Sequence, residues 1–330
     1  MDSIPLHYDV FNGDADGICA LHQWRLSQPA SHHLITGVKR DIELLRRVPG
    51  GAGSKVLVLD ISLDTNLGEL RRLLDGGAQV TYFDHHLADQ AFAHPGLQLH
   101  CDSAPNVCTS MLVDRHLQGR YRRWAVVAAF GDNLPQPAWA LARSIGLDDA
   151  TTAALEQLGQ VINYNAYGEC EADLHIAPAA LYRALHGCEN PCDFIGGELY
   201  RTLHQGYRDD CAQLQDLRPY WQQPGRAIYL LPGTPWSRRI SGVLANRLAT
   251  QGEGSSFAVL DARSDGGYMV SVRSGDPETR SACGLCQQFV SGGGRKAAAG
   301  INRLAPSELE RFIERFGQYF APSGPLRHAS

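Results

Sequence analysis

The sequence predicts an α/β protein of two domains, the larger one N-terminal and built on a mainly parallel sheet flanked by helices. Three observations carry the prediction. Short Val/Leu/Ile-rich runs alternate with helical patterns as far as Phe83. The chain from about Asn106 to His186 reads mostly helical. A break at Gln222-Gln223-Pro224-Gly225 precedes a second, smaller strand and helix pattern. The expected division is 1–190 for the first domain, 191–224 for a linker helix and 225–330 for the second.

Taken in order, His7 to Phe11 is a strand, Ala15 to Ser27 a helix and His33 to Val38 a strand. An amphipathic helix is expected near Asp41 to Val48. Lys55 to Ile61 is a nearly continuous Val/Leu strand, Leu67 to Leu74 a helix ended by Gly76-Gly77, and Ala78 to Phe83 the next strand. Strands separated by helices imply a parallel sheet covered on both faces. Ligands of such sheets gather beyond the carboxyl ends of the strands. Helices follow at Ala125 to Phe130 and Thr151 to Val161, and one longer helix from Gly197 to Trp221 bridges the domains. In the second domain, Ala227 to Leu231 is a strand and Ser237 to Ala249 a helix. Phe257 to Asp261 and Tyr268 to Arg273 form a hairpin across Ser264-Asp265-Gly266-Gly267. Glu278 to Val290 reads as helix, 291–300 as a glycine-rich loop, and Ser307 to Tyr319 as the final helix.

A chain of 330 residues accommodates two domains of ordinary size. With 44% hydrophobic and 20% charged residues, its composition is that of a soluble globular protein. No apolar stretch approaches the ~20 residues needed to span a bilayer, and Met1-Asp2-Ser3-Ile4-Pro5 lacks the features of a secretory leader. The expected location is cytoplasmic. A net charge of −5 argues against a broad nucleic-acid-wrapping surface, though not against a local basic pocket. Nine cysteines without framework spacing read as reduced thiols. Cys283-Gly284-Leu285-Cys286 reads as ordinary packing, and Cys188 and Cys192 flank a turn.

Four acidic or acidic-histidine clusters bear the chemistry. They are Asn12-Gly13-Asp14-Ala15-Asp16-Gly17, Leu57-Val58-Leu59-Asp60, Phe83-Asp84-His85-His86 and Phe130-Gly131-Asp132-Asn133. Three follow predicted strands and the fourth a predicted helix. Carboxylates and imidazoles collected at element ends can hold two divalent cations about 3.5–4 Å apart, the arrangement of two-metal phosphoester hydrolysis. Asp14 and Asp16 can address one cation each, and Asp60 can bridge both. His85 offers a nitrogen ligand and Asp132 a further carboxylate. This mixture favours Mn²⁺, with Mg²⁺ as a substitute. His86 would then face the phosphate, stabilising charge or passing a proton. Taken singly, each Asp has a plainer reading as a helix cap, Asp16 included, and His32-His33 reads as an exposed strand start.

Asp14-Ala15-Asp16-Gly17, Asp60, Asp84-His85-His86 and Gly131-Asp132 resemble, in order and spacing, the four motifs of the DHH phosphoesterase superfamily. Its members include single-strand-specific exonucleases, oligoribonuclease and 3′,5′-bisphosphate phosphatases, cyclic and linear dinucleotide phosphodiesterases, and family II inorganic pyrophosphatases. The resemblance implies one Mn²⁺ bound by Asp14 and Asp60, and a second bound by Asp16, Asp60, His85 and Asp132. It also implies that Asp84 supports the site from its edge and that His86 contacts the scissile phosphate. One position departs from the pattern. Many members carry a histidine ligand four residues before the first Asp of the motif, where this chain has Val10. Asn12 is the nearest alternative ligand.

Further on, Val270-Ser271-Val272-Arg273-Ser274 and Gly292-Gly293-Gly294-Arg295-Lys296-Ala297-Ala298-Ala299-Gly300 resemble the DHHA1 substrate-binding domain, which usually has His at the Arg295 position. Consecutive glycines let backbone N–H groups approach a phosphate or base, and Arg273 can clamp an oxyanion. The expected substrate contacts are Arg273, Ser274, Gly292, Gly293, Gly294, Arg295 and Lys296. Arg295 in place of His suggests an additional phosphate or a guanine edge. Arg238 and Arg239 open a helix and read as solvated, with phosphate contact as the alternative. Asn163-Tyr164-Asn165-Ala166-Tyr167-Gly168 reads either as part of an interdomain cleft, its aromatics stacking on a base, or as core.

The resemblance implies a phosphodiesterase acting on short oligonucleotides or linear dinucleotides such as pGpG, with the active site in a cleft between the domains. An acidic chain without a basic track favours a short substrate over long strands. The alternatives are a 3′,5′-bisphosphate nucleotide (pAp) phosphatase, a single-strand-specific exonuclease and a nucleotide-sensing module with a decayed metal site. A homodimer is compatible with all of these.

Overall fold

The computed structural model describes residues 6–30, 32–87, 92–252 and 254–321. The expectation for the N-terminal segment 1–5 falls outside the described residues. The chain divides into two compact units, Met1–Tyr207 and Arg208–Ser330.

The first unit is built on a five-stranded sheet of order β2-β1-β3-β4-β5 in which every pairing is parallel. Its strands are β1 (His7–Phe11), β2 (His33–Ile35), β3 (Lys55–Leu59), β4 (Gln79–Asp84) and β5 (Leu97–Cys101). Helices α1 (Ala15–Ser27) and α2 (Leu63–Asp75) connect consecutive strands. Alternation along β1 sends Phe11 to one face and Val10 to the other. Phe11 joins a core with Ile18, Leu21, Phe83, Trp124 and Val127. Val10 joins the opposite core with Leu44, Leu45, Val48 and Leu70. The sheet is thus covered on both faces, as the Val-Leu-Val-Leu run of β3 requires. A helical array follows: α3 (Thr109–His116), α4 (Arg122–Gly131), α5 (Pro135–Ser144), α6 (Asp149–Asn165), α7 (Pro178–Leu185), α8 (Pro191–Ile195) and α9 (Glu198–Gln213).

Close helix packing fixes where α4 ends. A Cβ on Gly131 would lie 2.4 Å from Ala15 Cβ and 3.0 Å from the Gly159 carbonyl oxygen, so only glycine lets α4 pass α1 and α6 at that point. Asn133, in the left-handed region at φ 59, then terminates the helix.

The second unit carries a six-stranded mixed sheet of order β10-β11-β9-β8-β7-β6. Its elements are β6 (Trp221–Gln223), β7 (Arg226–Leu231), α10 (Pro235–Gln251), β8 (Ser256–Ala262), β9 (Tyr268–Arg273), α11 (Ala282–Cys286), β10 (Gly292–Gly294), β11 (Ala298–Leu304) and α12 (Leu309–Tyr319). Only β7 and β8 pair in parallel; the other pairings are antiparallel. Its core joins Leu260, Val270, Leu285, Ile301, Phe312 and Phe316.

Several expected elements differ. The helix near Asp41 to Val48 is a single 3-10 turn, Leu44–Arg47, without a side-chain cap and followed by Pro49-Gly50. The strand from His33 stops at Ile35 rather than Val38. The long helix ending at Trp221 stops at Gln213, and Trp221–Gln223 forms instead an antiparallel strand turned onto β7 by Pro224-Gly225. The helix over Glu278 to Val290 contracts to α11, capped by Ser281. The glycine-rich loop is an edge hairpin in which Gly292, Gly293 and Gly294 pair with Ile301, Gly300 and Ala299. Strand β5 had no counterpart in the sequence reading.

Candidate metal centre

The first motif is a tight turn. Asn12 continues β1 through its N–H bond to the Leu59 carbonyl, 3.1 Å. Its side-chain Oδ1 accepts the Asp14 N–H at 3.3 Å, and its amide donates to the Lys39 carbonyl at 3.1 Å. A Cβ on Gly17 would meet the Asn12 carbonyl oxygen at 2.2 Å, so the turn closes only with glycine there. Asp14, not Asp16, caps α1: its Oδ1 accepts the N–H groups of Asp16 at 3.0 Å and Gly17 at 3.1 Å. Its Oδ2 takes the Lys39 ammonium.

Asp16 turns inward from the first turn of α1 and accepts the N–H groups of Thr109 and Ser110, each at 2.7 Å. It thereby holds the start of α3 from another helix, a role its position in α1 does not announce. Each carboxylate oxygen keeps a second lone pair for a cation. Asp60 follows β3 in the left-handed region, φ 60, and its Oδ1 accepts the Thr109 hydroxyl at 3.1 Å. Asp132 caps the end of α4.

These groups meet at His85. Its Nδ1 lies 2.9 Å from the Val107 carbonyl, which fixes the proton on that nitrogen and leaves Nε2 as a bare donor of electrons. Nε2 stands 3.4 Å from Asp60 Oδ1, 3.8 Å from Asp132 Oδ2 and 4.0 Å from Asp16 Oδ2. Potential ligand atoms of Asp16, His85 and Asp132 all lie within 4.8 Å of one another, as do those of Asp60, His85 and His86. The donor set fits a divalent cation: crowded carboxylates, and one imidazole with its tautomer set from behind.

Asp84 ends β4 and is fully buried. One oxygen accepts the N–H of Leu63 at 3.2 Å, holding the start of α2. The other binds the His86 ring Nδ1 at 2.6 Å and the His86 N–H at 3.2 Å. His86 itself is 41% exposed and adjoins His85.

The electrostatics follow from burial and crowding. Asp60 is pushed well above the ordinary carboxylate range, first by burial and then by the charges of Asp16 and Asp14. Asp132 is raised, chiefly by burial, against the opposing charges of Lys39 and His85. Burial also works on Asp14, but the Lys39 charge and hydrogen bond bring it below the ordinary value. His86 goes the other way for an imidazole: burial disfavours its proton, yet the hydrogen bond and charge of Asp84 outweigh it and its pKa rises. A cation among Asp16, Asp60 and Asp132 relieves the repulsion that raises Asp60.

Two residues with parts in the cluster, Lys39 and Thr109, escaped the sequence reading. Lys39 follows β2 at the carboxyl edge of the sheet, the place where the fold rule puts ligands, and that position was its only signal. The missing-histidine position, Val10, is fully buried in apolar core. Tyr164 is also core, its hydroxyl 2.8 Å from His175 Nε2, and cannot stack on a base. Tyr167 lies beside Lys39, its ring centroid 5.7 Å from the ammonium.

In the second unit the expected contacts fall on one stretch of sheet. Arg273 on β9 sits opposite Ala298 on β11. Its Nη2 and Nε donate to Asn246 Oδ1 at 2.9 and 3.3 Å. The Ser274 hydroxyl is used in its own turn, donating to the Arg280 carbonyl at 2.7 Å and accepting the Asp276 N–H at 3.1 Å. Arg295 and Lys296 are exposed at the hairpin tip, with Lys296 2.7 Å from Glu278. Arg239 is buried against Asp210, at 2.8 and 3.2 Å, and is not a solvated residue. Cys286 packs in the core, as expected of that pair.

No protein-family model matches the chain, and no curated protein matches it. Solved structures do. The exonuclease RecJ bound to manganese matches with TM-score 0.63 and 19% identity, over 96% of this chain and 90% of that one. The DHH domain of a protein described as a member of a ribosomal-protein family matches with TM-score 0.64 and 14% identity, over 95% and 86%. The pGpG-specific phosphodiesterase PggH of Vibrio cholerae matches with TM-score 0.52 and 13% identity, over 96% and 99%. The chain has the α/β fold of these proteins, a parallel five-stranded sheet followed by a mixed-sheet unit. The fold is shared with these DHH-type structures, and in this chain Asp84 ends β4 with His85 and His86 directly after it.

Proposed function

We propose that this chain is a metal-dependent phosphodiesterase that hydrolyses short oligonucleotides or linear dinucleotides to mononucleotides. The observation that carries the reading is His85: its Nδ1 is tied to the Val107 carbonyl while its Nε2 faces Asp16, Asp60 and Asp132. Buried carboxylates crowded against a free imidazole nitrogen have no use in packing and a clear one in holding a cation.

Asp16, Asp60, His85 and Asp132 would hold the ion, Mn²⁺ by the mixture of oxygen and nitrogen donors, with Mg²⁺ able to replace it. When bound, it supplies a Lewis acid next to the phosphate and eases deprotonation of water. Thr109 orients Asp60, and Val107 orients His85. Asp84 keeps the His86 ring in place and favours its protonated form. His86, the more exposed of the pair, then offers an N–H to a phosphate oxygen and can release a proton to the departing alcohol. Arg273, held by Asn246, and the hairpin of Gly292, Gly293, Gly294, Arg295 and Lys296 would take the nucleotide end, with Ser274 shaping the turn beside Arg273.

Preference for a short substrate rests on the acidic balance of the chain and on its near-complete overlap with PggH, which is described as specific for pGpG. The test is a panel of pGpG, other dinucleotides, longer oligomers, pAp and cyclic dinucleotides, each with Mn²⁺. Release of mononucleotide fastest from dinucleotides supports the reading. Turnover confined to pAp indicates the bisphosphate phosphatase, and turnover confined to long single strands the exonuclease. Tight binding without turnover of any of them indicates the sensor.

A further inference from the structure

Lys39 stands against Asp14, one of the two residues to which the superfamily resemblance assigns a metal. Its ammonium binds Asp14 Oδ2 and donates to Asn163 Oδ1 at 3.1 Å. Asp132 Oδ1 lies 3.8 Å away. The backbone of Lys39 is pinned on both sides, its N–H on the Ala166 carbonyl at 2.9 Å and its carbonyl on the Asn12 amide at 3.1 Å. Both oxygens of Asp14 are already engaged, Oδ1 by two N–H groups and Oδ2 by the lysine. Among the described residues, Asp14 belongs to neither group of His, Cys, Asp or Glu that could surround an ion. The position of the missing histidine is apolar Val10, buried in the core, and the alternative ligand Asn12 is committed to backbone groups.

From these positions we infer that the chain binds a single catalytic metal ion, among Asp16, Asp60, His85 and Asp132, and that the Lys39 ammonium supplies in place the positive charge of the other. This rests on the phosphoesterase reading and refines it. An ammonium gives one fixed charge and three directed protons, where a divalent ion gives two charges and open coordination positions. It cannot bring its own water to the reaction, but it can neutralise a phosphate oxygen. The Lys39 side chain is 22% exposed, so it is reachable from solvent. The expected signature is a site in which charge beside Asp14 is covalently built in and does not depend on metal concentration.

The experiment counts ions and reads their coupling. Wild-type protein, stripped with chelator, is titrated with Mn²⁺, and bound metal is measured by elemental analysis and electron paramagnetic resonance. The expected result is one Mn²⁺ per chain with the six-line spectrum of an isolated ion. Two ions per chain with an exchange-coupled spectrum would overturn the inference while leaving the phosphoesterase reading intact. No bound ion would overturn both. In parallel, Lys39→Met should keep at least one Mn²⁺, bound no more weakly than in the wild type because a positive charge beside Asp132 is gone. With one ion bound, its turnover should fall on the order of 100-fold, the loss typical when one preorganised charge-stabilising donor is removed. Wild-type turnover in a Lys39→Met protein that binds one ion would refute a role for the ammonium.

Discussion

Asp60→Asn should make the metal-free protein more stable and the metal-loaded protein inactive. Asn keeps the shape of the side chain, accepts the Thr109 hydroxyl and tolerates the left-handed backbone at this position. What it removes is a carboxylate that burial and the charges of Asp16 and Asp14 push well above its ordinary range. The sign follows from the direction of that shift. A carboxyl with raised pKa binds its proton more tightly in the folded chain, so its contribution is most favourable at acid pH. It turns into a penalty as pH rises from the ordinary Asp value through the raised one. At neutral pH, Asp60→Asn removes that penalty, a gain of about 1–3 kcal/mol on the scale for an uncompensated buried polar group. The same change deletes the carboxylate nearest His85 Nε2, at 3.4 Å. In the wild type, Mn²⁺ at 100 times its Kd should stabilise the fold by about 2.7 kcal/mol. At roughly 2–4 °C per kcal/mol for chains approaching this size, that is a rise in Tm of about 5–10 °C. Thermal melts at pH 7 with chelator and with Mn²⁺ read both effects. The variant should melt above wild type in chelator and show no rise with Mn²⁺. A lower Tm in chelator together with a full Mn²⁺ response would refute the reasoning.

Other consequences can be checked in the same preparations. His86→Ala should lower kcat by about 10²- to 10⁴-fold with Mn²⁺ affinity little changed, since the proposed function puts His86 on the phosphate and the ligand nitrogen on His85; loss of metal with loss of rate would place His86 among the ligands. Arg273→Ala should raise KM and leave Mn²⁺ binding untouched, as the proposed oxyanion clamp on β9 requires; an unchanged KM would remove Arg273 from the substrate site. His22 is buried beside Trp124 with its pKa lowered to about 4, chiefly by burial. Its neutral form is the folded one, so stability should fall as pH drops from 6.5 toward 4, by at most about 3 kcal/mol. Melts of wild type and His22→Phe across that range should diverge on the acid side, and parallel curves would acquit His22.

How much of this was legible in the sequence depends on where the information sits. Strands β1, β3 and β4 are buried on both faces, so apolar side chains fall on both faces of each, and their ends nearly coincide with the expected ones. The motif residues at those ends were legible for the same reason. Strand β5, Leu-Gln-Leu-His-Cys, is an edge strand with half-exposed residues, and nothing but its partner β4 makes it a strand. The expected helix at Asp41 to Val48 shows suitable spacing, but Leu44, Leu45 and Val48 are placed by the sheet face they cover, and one turn suffices for that. The helix expected over Glu278 to Val290 ignored Pro277 and the Ser281 cap, which start it late, and the turn at Ser291 (φ 64) that follows. Within the site, the carboxylates were visible as a pattern, but their division of labour was not. Asp16 caps a helix 93 positions away in sequence, Thr109 holds Asp60 across 49, and Lys39 reaches Asp14 across 25. Such pairings exist only once the fold has brought the strand ends together.

The central claim is that Asp16, Asp60, His85 and Asp132 surround a catalytic cation. Anomalous diffraction from crystals grown with Mn²⁺, recorded at the manganese edge, addresses it directly. The account predicts a strong peak bonded to His85 Nε2 and to carboxylate oxygens of Asp16, Asp60 and Asp132, with Lys39 still on Asp14. Absence of a peak at His85 under saturating Mn²⁺, or a peak bound only elsewhere, would contradict it.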